Sequence, residues 1–381
     1  MSGIYIHIPF CRQACHYCNF HFSVSQKRRP EFVEALLNEI EIRKDFLYGA
    51  GFDRWSITTL YFGGGTPSLL ERNELERIFN RLYNHFTFAP DVEITLEANP
   101  DDLTTEKLHM LKELSVNRLS IGIQSFSDAD LRYMNRSHNA QQARAVLQRA
   151  FDVGFHNITA DLIYGMPTLD DDQWEQNVMQ LITMGVPHIS AYSLTVEKKT
   201  ALEVFIRKGK AAPVDEEQAA RQFEMLCYLA SMHGYEHYEI SNFGKPGFFS
   251  RHNISYWSGV PYLGLGPSAH SFVPGKRQWN IANTCEYIDS LASGTIPYDH
   301  EILDKQQQFN EYVMTALRTM WGVDKAFVEK RFGGHYLSRM MRSAAKYLKS
   351  GMLQETLSHL KVSQKGKFFA DGIAADLFVD L

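Results

Sequence analysis

Three of the five cysteines in this chain fall within eight positions: Cys11, Cys15 and Cys18, in "FCRQACHYC". Thiols so close together suit a disulfide staple, a zinc site or an iron–sulfur cluster, or they meet by chance. An odd number of cysteines in a chain of 381 residues argues against a disulfide framework. A zinc site takes four ligands, often as C-x2-C pairs, and the fourth here would be His16, His21 or a distant group. Three thiolates can instead hold three irons of a [4Fe–4S] cube and leave the fourth iron open to a small molecule. Spacing alone leaves zinc, cluster and chance standing.

Other polar groups follow apolar, strand-like runs. "GGGTP" (Gly63 to Pro67) ends one such run, and glycines admit backbone close to a ligand. Glu97, Gln124 and Asp161 end the next three, and Arg136 lies in the loop and short helix beyond Gln124. In a parallel barrel the loops after the strands open at one mouth, where chemistry collects. Each residue also has a plainer role. Glu97 or Asp161 could cap a helix, Gln124 could satisfy loop backbone, and Arg136 could be surface charge. Their shared placement favours a common site.

The elements that must hold them alternate. Ile4, Ile6 and Ile8 mark a period-two strand running into the cysteine loop. Val33, Leu36, Leu37, Ile40 and Leu47 predict a helix over 30–48, opened by Pro30. "TTLYFGGG", "VEITLEANP", "RLSIGIQSF", "NITADLIYGMP" and "HISAYSLT" read as further strands, each followed by a helical pattern. Such alternation implies βαβ units and a parallel sheet. Six units without a seventh and eighth predict an incomplete (β/α)6 barrel over 1–235; pattern alone also allows a doubly wound sheet. Residues 236–300 read as a connecting segment rich in Gly and aromatics. Residues 301–381 read as three helices and a hairpin, a small winged-helix-like domain.

Composition bounds the rest. The chain is 44% hydrophobic and 22% charged, with a net charge of −5, so no global basic field draws it to nucleic acid. No run approaches a membrane span, and "MSGIYIHIPF" lacks the pattern of a signal peptide, which predicts a cytoplasmic protein. Cys227 and Cys285 read as core residues. The modest basic excess beyond residue 320 matches any solvated helical face, so nucleic acid is not an expected partner.

The ordered set "YIHIPFCRQACHYC…YFGGGTP…LEANP…GIQSF…MNR…DLIYGMP" resembles the radical S-adenosylmethionine superfamily. It looks in particular like the branch holding oxygen-independent coproporphyrinogen III oxidases and their HemW-type relatives. The resemblance covers nearly the whole chain. It implies a [4Fe–4S] cluster on Cys11, Cys15 and Cys18, with the amino and carboxylate groups of S-adenosylmethionine on the open iron. One electron then cleaves the sulfonium to give a 5′-deoxyadenosyl radical. Tyr5 and the backbone at Tyr17 are implied beside the cofactor and cluster, and Gly64, Gly65 and Thr66 at its methionine end. Glu97, Gln124, Arg136 and Asp161 would complete the polar cage, since carboxylates and an amide suit hydroxyls and an ammonium, and a guanidinium suits a carboxylate.

Within that branch the sequence departs from the oxidases. They carry a fourth cysteine two residues after the third, where this chain has Phe20, and an N-terminal arm for which Cys11 leaves no room. "HNISYW", His252 to Trp257, instead matches the H-N-x-x-Y-W signature of HemW-type haem chaperones. The resemblance thus implies a haem carrier that passes haem to an acceptor protein not identified by sequence. His252, Asn253, Tyr256 and Trp257 would handle the haem, with His252 a candidate iron ligand; "YLGLGPSAHSF", with His270, would line the cavity. Without the resemblance, Tyr256 and Trp257 read as core, and His252 and Asn253 as ties for loop backbone. The alternative is the oxidase itself, decarboxylating porphyrinogen propionates. A homodimer is compatible with either.

Overall fold

The computed structural model describes residues 2–48 and 57–379. Six strands run parallel in chain order: β1 (Ser2–Ile8), β2 (Ile57–Gly64), β3 (Phe88–Ala98), β4 (Arg118–Gln124), β5 (Ile158–Tyr164) and β6 (His188–Ser193). Helices follow each strand, as the alternating pattern requires. Their starts are chemically specified. Asn139 with Gln142, and Asp170 with Gln173, form reciprocal capping boxes that satisfy backbone N–H groups before the helices Ala140–Asp152 and Asp171–Thr183.

The segment expected to be a connector is part of the sheet, and it builds both edges. β7 (Glu236–Glu239) and β8 (Asn242–Gly244) form an antiparallel pair, with β8 against β6. β9 (Tyr262–Leu265) lies parallel to β1 on the opposite side, followed by antiparallel β10 (His270–Val273), β11 (Lys276–Asn280) and β12 (Tyr298–Ile302). The resulting order is β12-β11-β10-β9-β1-β2-β3-β4-β5-β6-β8-β7.

Side chains alternate across each strand, and here the alternation is polar inside and apolar outside. Thr59, Tyr61, Thr95, Glu97, Ser120 and Asp161 face the concave side, where Tyr61 pairs with Thr95 in register and Glu97 with Ser120. Leu60, Phe62, Leu96, Leu119, Ile121 and Leu162 point outward and are fully buried beneath the helices. The main core therefore lies between sheet and helices. It includes Leu36, Ile78, Leu111, Val146 and Trp174 from successive helices. Non-polar burial stabilises that layer at about 25 cal/mol per Å², leaving the barrel interior free for polar chemistry.

The C-terminal part has its own core, with Phe309, Val313, Val328, Met340 and Leu360. Three helices (Lys305–Leu317, Lys325–Phe332, Gly334–Lys349) precede the hairpin of β14 (Leu353–Glu355) and β15 (His359–Val362). β13 (Val323–Asp324) pairs with β15, giving the helices-plus-wing layout read from the sequence. It meets the barrel through the Arg318 guanidinium over Trp257 at 5.1 Å and the Lys367 ammonium on His237 at 2.7 Å. Among the described residues, no helix is long and apolar enough to cross a membrane.

Candidate cofactor site

The cysteine loop leaves β1 and is tied at both ends. Phe10 and Ser23 form a bridge, and Cys11 N–H donates to Ser23 O at 3.0 Å. Its middle is held by the turn after the short helix Asp128–Tyr133 that follows β4. His16 N–H donates to Met134 O at 3.0 Å, and Asn135 Nδ2 donates to Ala14 O at 2.7 Å. This brings Cys11 within 3.5 Å of the Thr66 hydroxyl, and Cys15 within 3.4 Å of the Arg136 guanidinium. Burial pushes the Cys18 thiol up to about 11 and also raises Cys11, whose bond from Thr66 opposes that rise.

The three thiols open on a cavity of about 430 Å³ inside the barrel. Tyr17, Gly64, Gly65, Thr66, Glu97, Gln124, Arg136 and Asp161 all line it, as does Asn253. The glycines are required sterically: a Cβ on Gly65 would sit 2.7 Å from the carbonyl oxygens of Ile8 and Phe10. Gln124 ends β4 with φ of 65°, a left-handed conformation that non-glycine residues seldom adopt and that here turns the amide to the cavity. Arg136 donates to Asn99 Oδ1 at 2.6 Å and to Gly122 O at 3.0 Å, while its Nε is buried without a partner. Glu97 accepts from the Tyr61 hydroxyl at 2.7 Å and from Gly64 N–H at 3.1 Å. Burial raises both acids, and the Glu97 charge adds to the rise of Asp161, which reaches about 7.

Several residues lie elsewhere than expected. Tyr5 does not line the cavity; it stands behind Tyr61, ring centroids 6.0 Å apart, and hydrogen-bonds His7. Tyr61 lines the cavity instead, and the alternation Thr59, Tyr61, Gly63 in "TTLYFGGG" was the available signal. Asn99, two residues beyond Glu97, and Tyr192 at the end of β6 also line the cavity and were missed. His252 lies beneath the cavity, only 1% exposed, with ring nitrogens 2.8 Å from Thr59 Oγ1 and 2.8 Å from Tyr256 Oη. Both nitrogens are committed, so an iron could be ligated there only after one bond is broken. Trp257 packs under Arg318 at the junction with the C-terminal part. His270 stacks on Trp279 at 6.0 Å and is not among the cavity residues. Cys227 is buried as expected, but Cys285 is exposed at the start of the helix Thr284–Ala292. The apolar residues that follow it face the other side of that helix.

The donor set fits the cofactors implied by the motif. Among the described residues, no group of three His, Cys, Asp or Glu is arranged around a single metal ion. Thiolates on three different irons of a cube stand farther apart than ligands of one ion. Beside them, two acids raised by burial and an unsatisfied buried guanidinium nitrogen complement a ligand that carries both positive groups and a carboxylate.

Fold and site together define a protein of the radical S-adenosylmethionine class: residues 5–181 match the Radical SAM superfamily, and residues 303–369 match the HemN C-terminal domain. That class implies a [4Fe–4S] cluster and S-adenosylmethionine. The solved structure of the coproporphyrinogen III oxidase HemN from Escherichia coli, a radical SAM enzyme, superposes with a TM-score of 0.84. It covers 100% of this chain and 90% of that one; at 21% identity the likeness is one of fold. The heme chaperone HemW of Bacillus subtilis is 34% identical over 98% of this chain and 98% of its own length. HemW of Escherichia coli is 34% identical over 97% of this chain and 96% of its own. The chain belongs to the HemW family.

Proposed function

We propose that this chain binds haem and delivers it to an acceptor protein, from a scaffold that also binds a [4Fe–4S] cluster and S-adenosylmethionine. The observation that carries this reading is the end-to-end similarity to relatives named heme chaperones. Phe20 supports it. The residue that stands where the oxidases carry a fourth cysteine is 68% exposed at the cavity.

Cys11, Cys15 and Cys18 would hold three irons, leaving the fourth for the amino and carboxylate groups of S-adenosylmethionine. When bound and reduced, the cluster supplies an electron able to cleave the sulfonium. The chain's own residues bind and orient. Glu97 and Asp161 offer acceptors to the ammonium and hydroxyls, Arg136 offers fixed positive charge beside Cys15, and Gln124 offers an amide at the mouth. The polar barrel interior solvates these charges with fixed dipoles in place of bulk water. In this reading the HNxxYW helix, Arg251–Trp257, closes the barrel floor, and His252 would ligate iron only by giving up its bond to Thr59 or to Tyr256.

The completeness of the cage favours a second reading, radical decarboxylation of coproporphyrinogen III. The anaerobically reconstituted protein, given S-adenosylmethionine, a strong reductant and coproporphyrinogen III, separates the two. The carrier reading expects no multiple turnover to protoporphyrinogen, with an active oxidase alongside as control. Many turnovers per chain would replace it with the oxidase.

A further inference from the structure

Three aromatic rings connect the cofactor cage to the HNxxYW helix. Tyr5 on β1 and Tyr61 on β2 are neighbours in register. The Tyr61 ring stacks on the His252 imidazole with centroids 5.0 Å apart and planes at 23°, and Tyr5 lies against both rings. His252 is itself clamped by three bonds. Thr59 Oγ1 and Tyr256 Oη each lie 2.8 Å from one ring nitrogen, and its backbone N–H donates to Glu93 Oε1 at 3.1 Å. Space for this stack is built into the backbone. A Cβ on Gly3 would come within 2.7 Å of Thr59 Oγ1, the partner of His252, and one on Gly63 would meet the Tyr61 ring at 2.8 Å. At the other end Tyr61 donates its hydroxyl proton to Glu97 Oε1, while Gly64 N–H holds Oε2. The rotamer of the cage carboxylate is thus set by a phenol whose ring rests on His252.

We propose that His252 and Tyr256 are positioning residues for the Glu97 carboxylate of the S-adenosylmethionine cage, acting through the stacked ring of Tyr61. This assigns the His and Tyr of the motif a role toward the cofactor in place of contact with haem, and it rests on the reading of the cage as the S-adenosylmethionine site. Burial keeps the imidazole neutral, lowering it to about 3.

Equilibrium dialysis with labelled S-adenosylmethionine on the anaerobically reconstituted full chain tests the proposal, with haem titration on the same samples. Tyr61→Phe and His252→Ala are each expected to weaken S-adenosylmethionine binding about five- to tenfold, and Tyr256→Phe about two- to threefold, on the scale of one lost hydrogen bond. The double variant Tyr61→Phe/His252→Ala is expected to bind no worse than about the weaker single, because the two act in one chain. Haem affinity is expected to hold in His252→Ala. If His252→Ala misfolds, Tyr256→Phe and Tyr61→Phe carry the test, since each removes one hydroxyl from an intact stack. Unchanged S-adenosylmethionine affinity in these variants, fully additive losses in the double, or loss of haem affinity alone would overturn the proposal. Failure of the wild-type chain to bind S-adenosylmethionine would instead remove the cofactor reading on which it stands.

Discussion

Burial raises the Asp161 carboxyl, and the nearby Glu97 charge adds to that, bringing it to about 7. A folded-state value above the unfolded one means that the stability it contributes is present below about pH 4 and lost as pH rises through 7. A cationic ligand reverses the preference by favouring the ionised form. S-adenosylmethionine affinity should therefore rise between pH 6 and 8, and Asp161→Asn should flatten that rise; a flat wild-type profile by equilibrium dialysis would contradict it. Gly65→Ala pushes a Cβ against the backbone oxygens of Ile8 and Phe10, which cannot rotate away. It should cost roughly 1–3 kcal/mol in denaturant unfolding and lower the iron bound per chain, whereas a neutral variant would show that the loop yields. At this scale the sequence was most readable where a motif fixed the residue, as for Glu97 and Arg136. It was least readable where a role depends on which ring stands in front, as with Tyr61 ahead of Tyr5.

Glu93 joins two elements across the barrel floor. Its carboxylate accepts the first N–H groups of the helix Arg251–Trp257 at 3.1 Å each, and it lies 3.9 Å from the buried guanidinium of Arg118. Glu93→Ala leaves all three without that partner and should destabilise by on the order of 3 kcal/mol. Glu93→Gln, which keeps an acceptor, should lose clearly less, and equal urea midpoints for the two variants would contradict this assignment. The elements differ in how far sequence revealed them. The six parallel strands, six to eleven residues long with apolar residues on their outer face, are each followed by a helix, a strong pattern. β7 to β11 are three to five residues long. They carry too few apolar positions to show a period, and their pairing is fixed by edges of a sheet that only the fold brings near.

Several histidines are buried neutral across the whole molecule. Burial lowers His7 and His138 to about 4, and His237 and His252 to about 3. Their folded values lie below the unfolded value near 6.5, so the stability they carry is full above pH 6.5 and drains as pH falls toward 4. Lys367 sharpens this, since its ammonium donates to the neutral His237 and would face a like charge once that ring protonates. Denaturant midpoints should fall steadily from pH 7 to pH 4.5, and His237→Gln should reduce the slope; a pH-independent midpoint would contradict the burial account. At the same scale, the partial barrel and winged tail were legible in the order of patterns, while the joining of 236–300 to both sheet edges was not. Haem carriage is tested by an absorbance titration of the anaerobically reconstituted chain with haem. Binding is expected to saturate at a fixed number of haems per chain, and the haem to pass to an excess of an apo haem protein. A linear titration without saturation, or haem that cannot be withdrawn, would contradict it.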